Sequence, residues 1–356
     1  MVFMTAVSPF DDPKSKAANP LPMGGFFAEE APGPGGLATF WGATEGLAWE
    51  NATSAFAALV SHLKPRAVWM PGYICAHLSA AVPPDQRRFF GLTSGMQPDL
   101  ATLCDLRPGD LVLAVNYFGM APTVAWHSFV DHHQDMWFVE DCAQTLHSGA
   151  KAWGDWQLYS PRKLIGVAEG GLLVPISPKS QDSKMPGPAL PPDPVTVAQR
   201  LLPVRLRREH PFETTLWHPL HQAAEAASGL SDRAIAPEVF ALLASLDPAP
   251  LIRTRKTNFG RLASILADHA LIKALHPTFA PFGFPVTLPA GRRDTILARM
   301  YRKSIFPAVH WRDIATADGN LADHNRAAQM ATLPCDHRYD LQDMDRLAEI
   351  FLGALD

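Results

Sequence analysis

The stretch MWFVEDCAQTLHSGAKAWGDWQLYSPRKLIGVAEGGLLVPI, residues 136–176, decides the architecture. It holds three apolar runs, MWFVED (136–141), DWQLYS (155–160) and GGLLVPI (170–176). Each is short enough to read as a buried strand. Upstream, RAVWM (66–70) and GDLVLAV (109–115) read the same way, and TVAWHSFVDHH (123–133) is helical in pattern. ATSAFAALVSHL (52–63) predicts a helix with Asn51 as its N-cap. Strands alternating with helices predict an α/β fold with a mostly parallel sheet covered on both faces. Downstream, a long helix is expected over roughly 249–269, then a strand in FPVTLPA and helices in RRDTILARMYRKS and LQDMDRLAEIFLGAL. These predict a smaller C-terminal α+β domain.

Ligands of such sheets bind beyond the carboxyl ends of the strands. The residues there are Pro71-Gly72-Tyr73, Asn116-Tyr117-Phe118-Gly119, Asp141-Cys142-Ala143-Gln144 and Ser160-Pro161-Arg162-Lys163. Asp141 and Lys163 carry the most chemistry. A carboxylate closing an apolar strand sits partly desolvated and protonates unless a cation pairs with it. The protonated pyridine nitrogen of pyridoxal 5'-phosphate (PLP) is such a cation. A lysine acting as a Schiff-base nucleophile must be partly neutral, which burial favours. Ser160 can offer its hydroxyl to a phosphate, and Gly170 and Gly171 allow close backbone approach. Taken singly, each of these residues also suits a cap, a turn or a solvated surface.

Jointly they carry a resemblance. VEDCAQTLHS (139–148) and LYSPRKLIGVAEGGLLV (158–174) resemble the DegT/StrS-type sugar aminotransferases, with their Asp-x-Ala-Gln motif, Ser-containing lysine loop and Gly-Gly pair. WENATSAFAAL, VWMPGYIC, VNYFG, SIFPAVHW and LPCDHRYDLQDMDRLAEIF match further family segments in order, across roughly residues 45–350. The resemblance implies a fold-type I PLP transferase, with a mostly parallel, seven-stranded mixed sheet between helices. The Pro- and Gly-rich start reads as an N-terminal arm (1–37), followed by a large PLP-binding domain (38–248) and a small C-terminal domain (249–356). The resemblance implies that Lys163 carries the cofactor and shuttles the proton, that Asp141 pairs with the pyridine nitrogen, and that Gln144 approaches the ring hydroxyl. Ala52, Thr53 and Ser54 open the phosphate-binding helix, where the dipole favours an anion, and Ser160 adds a hydroxyl.

The chain departs from the family at several points. Ala52 replaces a glycine, and Asn116 stands where histidine is frequent. Lys163 follows Ser160 by only three positions, as in a subgroup with a Ser-x-x-Lys loop. Cys75 falls at the ring-stacking position, which leaves the stacking to Cys75 itself, Tyr73 or His77. The implied activity is transfer of an amino group from an amino acid to a keto-sugar or related carbonyl compound, by a homodimer. A PLP-binding protein without transaminase activity is the alternative. An unrelated nucleotide-binding α/β protein would need a glycine-rich phosphate loop, and neither GxGxxG nor a Walker motif occurs.

Composition narrows the classes further. A formal net charge of −4 gives no footprint for nucleic acid or an anionic membrane. Four dispersed cysteines without a CxxC pair predict neither a disulfide scaffold nor a zinc site. His132-His133 and His218/His221 read as surface or capping residues, so no metal is expected. His147 reads as structural, the basic run 200–210 as a solvated face, and the proline-rich 177–195 as an exposed loop. With no signal peptide and no run near the roughly 20 apolar residues that span a bilayer, a cytoplasmic location is expected.

Overall fold

The computed structural model describes residues 22–147, 152–273, 278–312, 314 and 321–356. The apolar runs form the predicted strands, with two further ones, in a single sheet. We label its members β1 (Ala48–Trp49), β2 (Val68–Pro71), β3 (Arg87–Phe90), β4 (Leu111–Val115), β5 (Trp137–Asp141), β6 (Trp156–Tyr159) and β7 (Gly171–Pro175). Their spatial order is β1-β7-β6-β5-β4-β2-β3. The pairs β2/β3, β2/β4, β4/β5 and β5/β6 are parallel, whereas β7 pairs antiparallel with both β6 and β1. This is the seven-stranded mixed sheet expected from the sequence.

Alternation along the strands explains why they read as continuous apolar runs. In β4, Leu111, Leu113 and Val115 share one core with Phe56 and Leu59 of α1 (Ala52–Leu63). Val112 and Ala114 belong to the opposite core, with Trp126 and Val130 of α2 (Val124–His132). The sheet is therefore buried on both sides. His132 and His133 close α2 by hydrogen-bonding the carbonyls of Ser128 and Phe129 through Nδ1, which fits the capping role expected of them.

The basic run lies on α3 (Pro194–Glu209), and the structure corrects its reading as a solvated face. Arg200 is buried between Glu50 and Glu169, at 3.0 and 2.9 Å. Arg205 and Arg208 both pair with Glu29, and Arg207 donates to the Gly24 and Phe26 carbonyls. The run thus anchors residues 24–29. The expected loop 177–195 contains a short helix, Pro178–Asp182. After α3 come α4 (Thr214–Ala226) and α5 (Pro248–Leu266), and the last helix is α6 (Leu341–Leu355). Beyond α5, Gly283–Thr287 pairs antiparallel with Met330–Pro334.

Arg255 in α5 fixes the later part of the chain to the lysine turn. It is fully buried and donates to the carbonyls of Pro281, Phe282 and Leu164. Leu164 follows Lys163 directly. Glu30 accepts from the backbone N–H of Gly166 at 3.1 Å and contacts His337 Nε2 at 2.8 Å. The turn bearing Lys163 is therefore braced from both ends of the chain. No described helix is long and apolar enough to cross a membrane.

Candidate active site

The carboxyl ends of β5 and β6 and the first turn of α1 meet at a cavity of about 410 Å³. Ala52, Thr53, Cys75, Asp141, Gln144, Ser160 and Lys163, all singled out in the sequence, line it. Lys163 ends a short 3-10 turn, Pro161–Lys163, that follows β6 immediately.

Asp141 closes β5 and is buried. Its Oδ1 accepts from the Ala143 N–H at 2.8 Å. Burial raises its pKa above the ordinary carboxyl value; Lys163 and the Ala143 bond offset this only in part. The carboxylate is thus short of positive charge. Gln144 is buried too. Its Oε1 accepts from the Phe118 N–H at 3.2 Å, while Nε2 has no partner among the described residues. Buried amide donors are nearly always paired, so this one suits an acceptor on a ligand. Desolvation and the Lys163 charge push His310 down to about 3, which keeps the imidazole neutral near the lysine.

The opposite end of the cavity is a helix start. Asn51 caps α1 by accepting from the Ser54 N–H at 2.8 Å. That leaves the earlier N–H groups, of Ala52 and Thr53, free of intrahelical partners at the positive end of the dipole. Gly171 packs against the Asn51–Ala52 peptide so closely that a Cβ there would overlap it. Gly171→Ala is expected to destabilise the fold by roughly 1–3 kcal/mol and to weaken anion binding at the α1 start. Denaturant unfolding and a phosphate-binding titration check both effects.

Two expected residues stay away from the cavity. Ser54 is buried, and its hydroxyl accepts from the Ser231 N–H at 3.0 Å. One helical position turns a side chain by about 100°, which separates Ser54 from Thr53. Asn116 lies behind the sheet. Its amide nitrogen donates to Glu140 at 2.7 Å, and its oxygen accepts from Trp153 Nε1 at 3.1 Å. Glu140, Cys142 and His147 form a buried polar cluster there. Of the three candidates for ring stacking, Tyr73 is fully buried, with its hydroxyl on the His310 carbonyl, whereas Cys75 and His77 line the cavity.

No family model matches the sequence, and no curated protein does either. Solved structures do match. An aminotransferase of pseudoaminic acid biosynthesis from Helicobacter pylori, PseC, is 16% identical, with a TM-score of 0.64 over 90% of this chain and 89% of its own. DesI, solved in the presence of its TDP-sugar product, is 18% identical, with a TM-score of 0.63 over 90% of this chain and 83% of its own. NtdA from Bacillus subtilis, solved with bound cofactor PMP, is 13% identical, with a TM-score of 0.60 over 87% of this chain and 73% of its own. The fold is that of the sugar aminotransferases.

Within this aminotransferase fold, Trp311 and Glu225, to which the sequence reading assigned no role, also line the cavity, and Arg162 of the Ser160–Lys163 turn joins them. Trp311 ended a recognisable segment, SIFPAVHW, and its ring lies 5.5 Å from that of Tyr73. Arg162 stood beside Lys163 in plain view. Glu225, on α4, gave no local signal.

Proposed function

We propose that the chain is a PLP-dependent aminotransferase of the DegT/StrS type, moving an amino group from an amino acid to a keto-sugar or related carbonyl acceptor. The observation that carries this reading is the set of complementary groups on one cavity wall. A cation-deficient buried carboxylate (Asp141), an unpartnered buried amide donor (Gln144) and a lysine (Lys163) face one space. These match the pyridinium, ring hydroxyl and aldehyde of PLP, and the helix start at Ala52 and Thr53 with the Ser160 hydroxyl matches its phosphate. When bound, PLP supplies an electron sink that allows a C–H bond next to the amine nitrogen to break.

The protein's own groups do the rest. Asp141 would hold the ring nitrogen protonated, and that cation would relieve its deficit of positive charge. Gln144 orients the ring through its free N–H. Ala52, Thr53 and Ser160 anchor the phosphate. Lys163 Nζ would hold the cofactor and, when free, would take the proton from the donor's α-carbon in the first half-reaction and deliver one to the acceptor's carbon in the second. The flanking His310, kept neutral, adds no positive charge to compete with that proton transfer. Leu230, which lines the cavity yet is 57% exposed, suits coverage by a second copy in a homodimer.

Two-substrate kinetics with glutamate and nucleotide-linked keto-sugars test the reading. Parallel double-reciprocal lines are expected, since the donor product leaves before the acceptor binds. Cofactor that binds but is never converted to its amine form by any amino donor would favour a PLP-binding protein without transaminase activity.

A further inference from the structure

Next to the main cavity lies a smaller one of about 80 Å³, and the two share Asn51, Arg162, Glu225 and Ser228 in their walls. The Arg162–Glu225 ion pair stands between them, with Nη1 and Oε1 2.6 Å apart. Arg162 brings the one guanidinium to the main cavity among the described residues, and the chain places it beside Lys163.

Glu225 is an ill-suited permanent partner for it. It occupies the last turn of α4, where the helix dipole disfavours a carboxylate. The pair is also exposed, 29% on the Arg162 side chain and 44% on Glu225, and ion pairs this open to water contribute little. Burial opposes charge on Glu225, but Arg162, His221 and Lys163 outweigh it and hold the carboxyl below its ordinary pKa. An anion is therefore favoured at this spot, while the anion present is weakly held.

We infer that Arg162 is an anion receptor for the bound ligand and that Glu225 is a placeholder, displaced when an oxyanion of the ligand enters the cavity. The oxyanion is either the α-carboxylate of the amino donor or the phosphate of the cofactor. Both offer the planar or tripodal oxygen sets that a guanidinium grips with two parallel hydrogen bonds. The inference rests on the reading of the cavity as a PLP site, and the test separates the two.

The test compares wild type, Arg162→Gln and Glu225→Gln in two titrations: PLP binding followed by absorbance, and the KM for glutamate at saturating PLP. Losing a charged hydrogen-bond partner corresponds to a roughly ten- to hundredfold loss of affinity. Arg162→Gln is expected to weaken one of the two by that factor, and Glu225→Gln to strengthen the same one. A change in KM alone identifies the donor carboxylate, and a change in PLP affinity alone identifies the phosphate. Two variants shifting in opposite directions cannot both be explained by misfolding. If neither parameter moves in Arg162→Gln, or Glu225→Gln weakens what Arg162→Gln weakens, the placeholder idea is wrong. If wild type itself binds no PLP, the underlying reading of the site fails instead.

Discussion

Replacing Lys163 by alanine removes amine transfer almost completely, with an expected loss of at least roughly 10²–10⁴ in kcat, the range for losing a positioned proton-transfer group. The loss falls on chemistry more than on cofactor capture. Asp141, Gln144, Ala52, Thr53 and Ser160 would all remain in place around the cavity. The variant should therefore still take up PLP noncovalently, with a spectrum like that of the free aldehyde. Added alkylamine should restore part of the proton transfer, because the missing group is an amine and the cavity has room for a small one. Single-turnover kinetics with glutamate, with and without the amine, check this. Undiminished turnover in Lys163→Ala would remove the lysine from the reaction.

The second large effect concerns Asp141→Asn. The substitution keeps the shape and the Ala143 N–H contact but removes the charge opposite the ring nitrogen. Preorganised electrostatic groups of this kind are worth roughly 10²–10³ in rate, and a loss of that size in kcat is expected. Stability of the cofactor-free protein should move the other way. The folded pKa of Asp141 is raised, chiefly by burial. Its contribution to folding is thus fully present below the ordinary carboxyl range and is lost as pH rises through its own, higher value. Cofactor-free Asp141→Asn should be more stable than wild type at pH 8 and gain little over it in acid. Urea unfolding at several pH values measures the gap. A gap that does not grow with pH would mean Asp141 is already compensated by a charge in the free protein.

Much of this architecture was legible in the chain because buried parallel strands are apolar on both faces and end at chemically distinct residues. FVEDC and QLYSP each announce a strand and then a site residue. Edge strand β3, Arg-Arg-Phe-Phe at Arg87–Phe90, was missed because its half-exposed face carries charges and breaks the apolar run. Of Met330–Pro334 only the Leu-Pro at its end stands out in the sequence, since its pairing with Gly283–Thr287 is set by tertiary contact. The site was readable where one turn delivers several groups, as at Asp141 to Gln144 and Ser160 to Lys163.

It failed where a side chain's direction matters. Ser54 and Asn116 sit beside residues that reach the cavity, but helix rotation takes the first to Ser231 and the alternation of the sheet takes the second to Glu140. Glu225 arrives from a distant segment with no local pattern that marks it, and Trp311 ends the recognisable SIFPAVHW without any sign there that it reaches the cavity. The basic run 200–210 looked solvated because sequence gives charge without partners. Its partners, Glu29, Glu50 and Glu169, lie far away in the chain.

The most direct measurement is borohydride reduction of the purified protein after incubation with PLP, followed by peptide mapping. A near-visible absorbance band that disappears on reduction, with one pyridoxyl group on the peptide containing Lys163, is the expected result. No band, or a label spread over surface lysines with Lys163 unmodified, would contradict the assignment of this cavity as a PLP site.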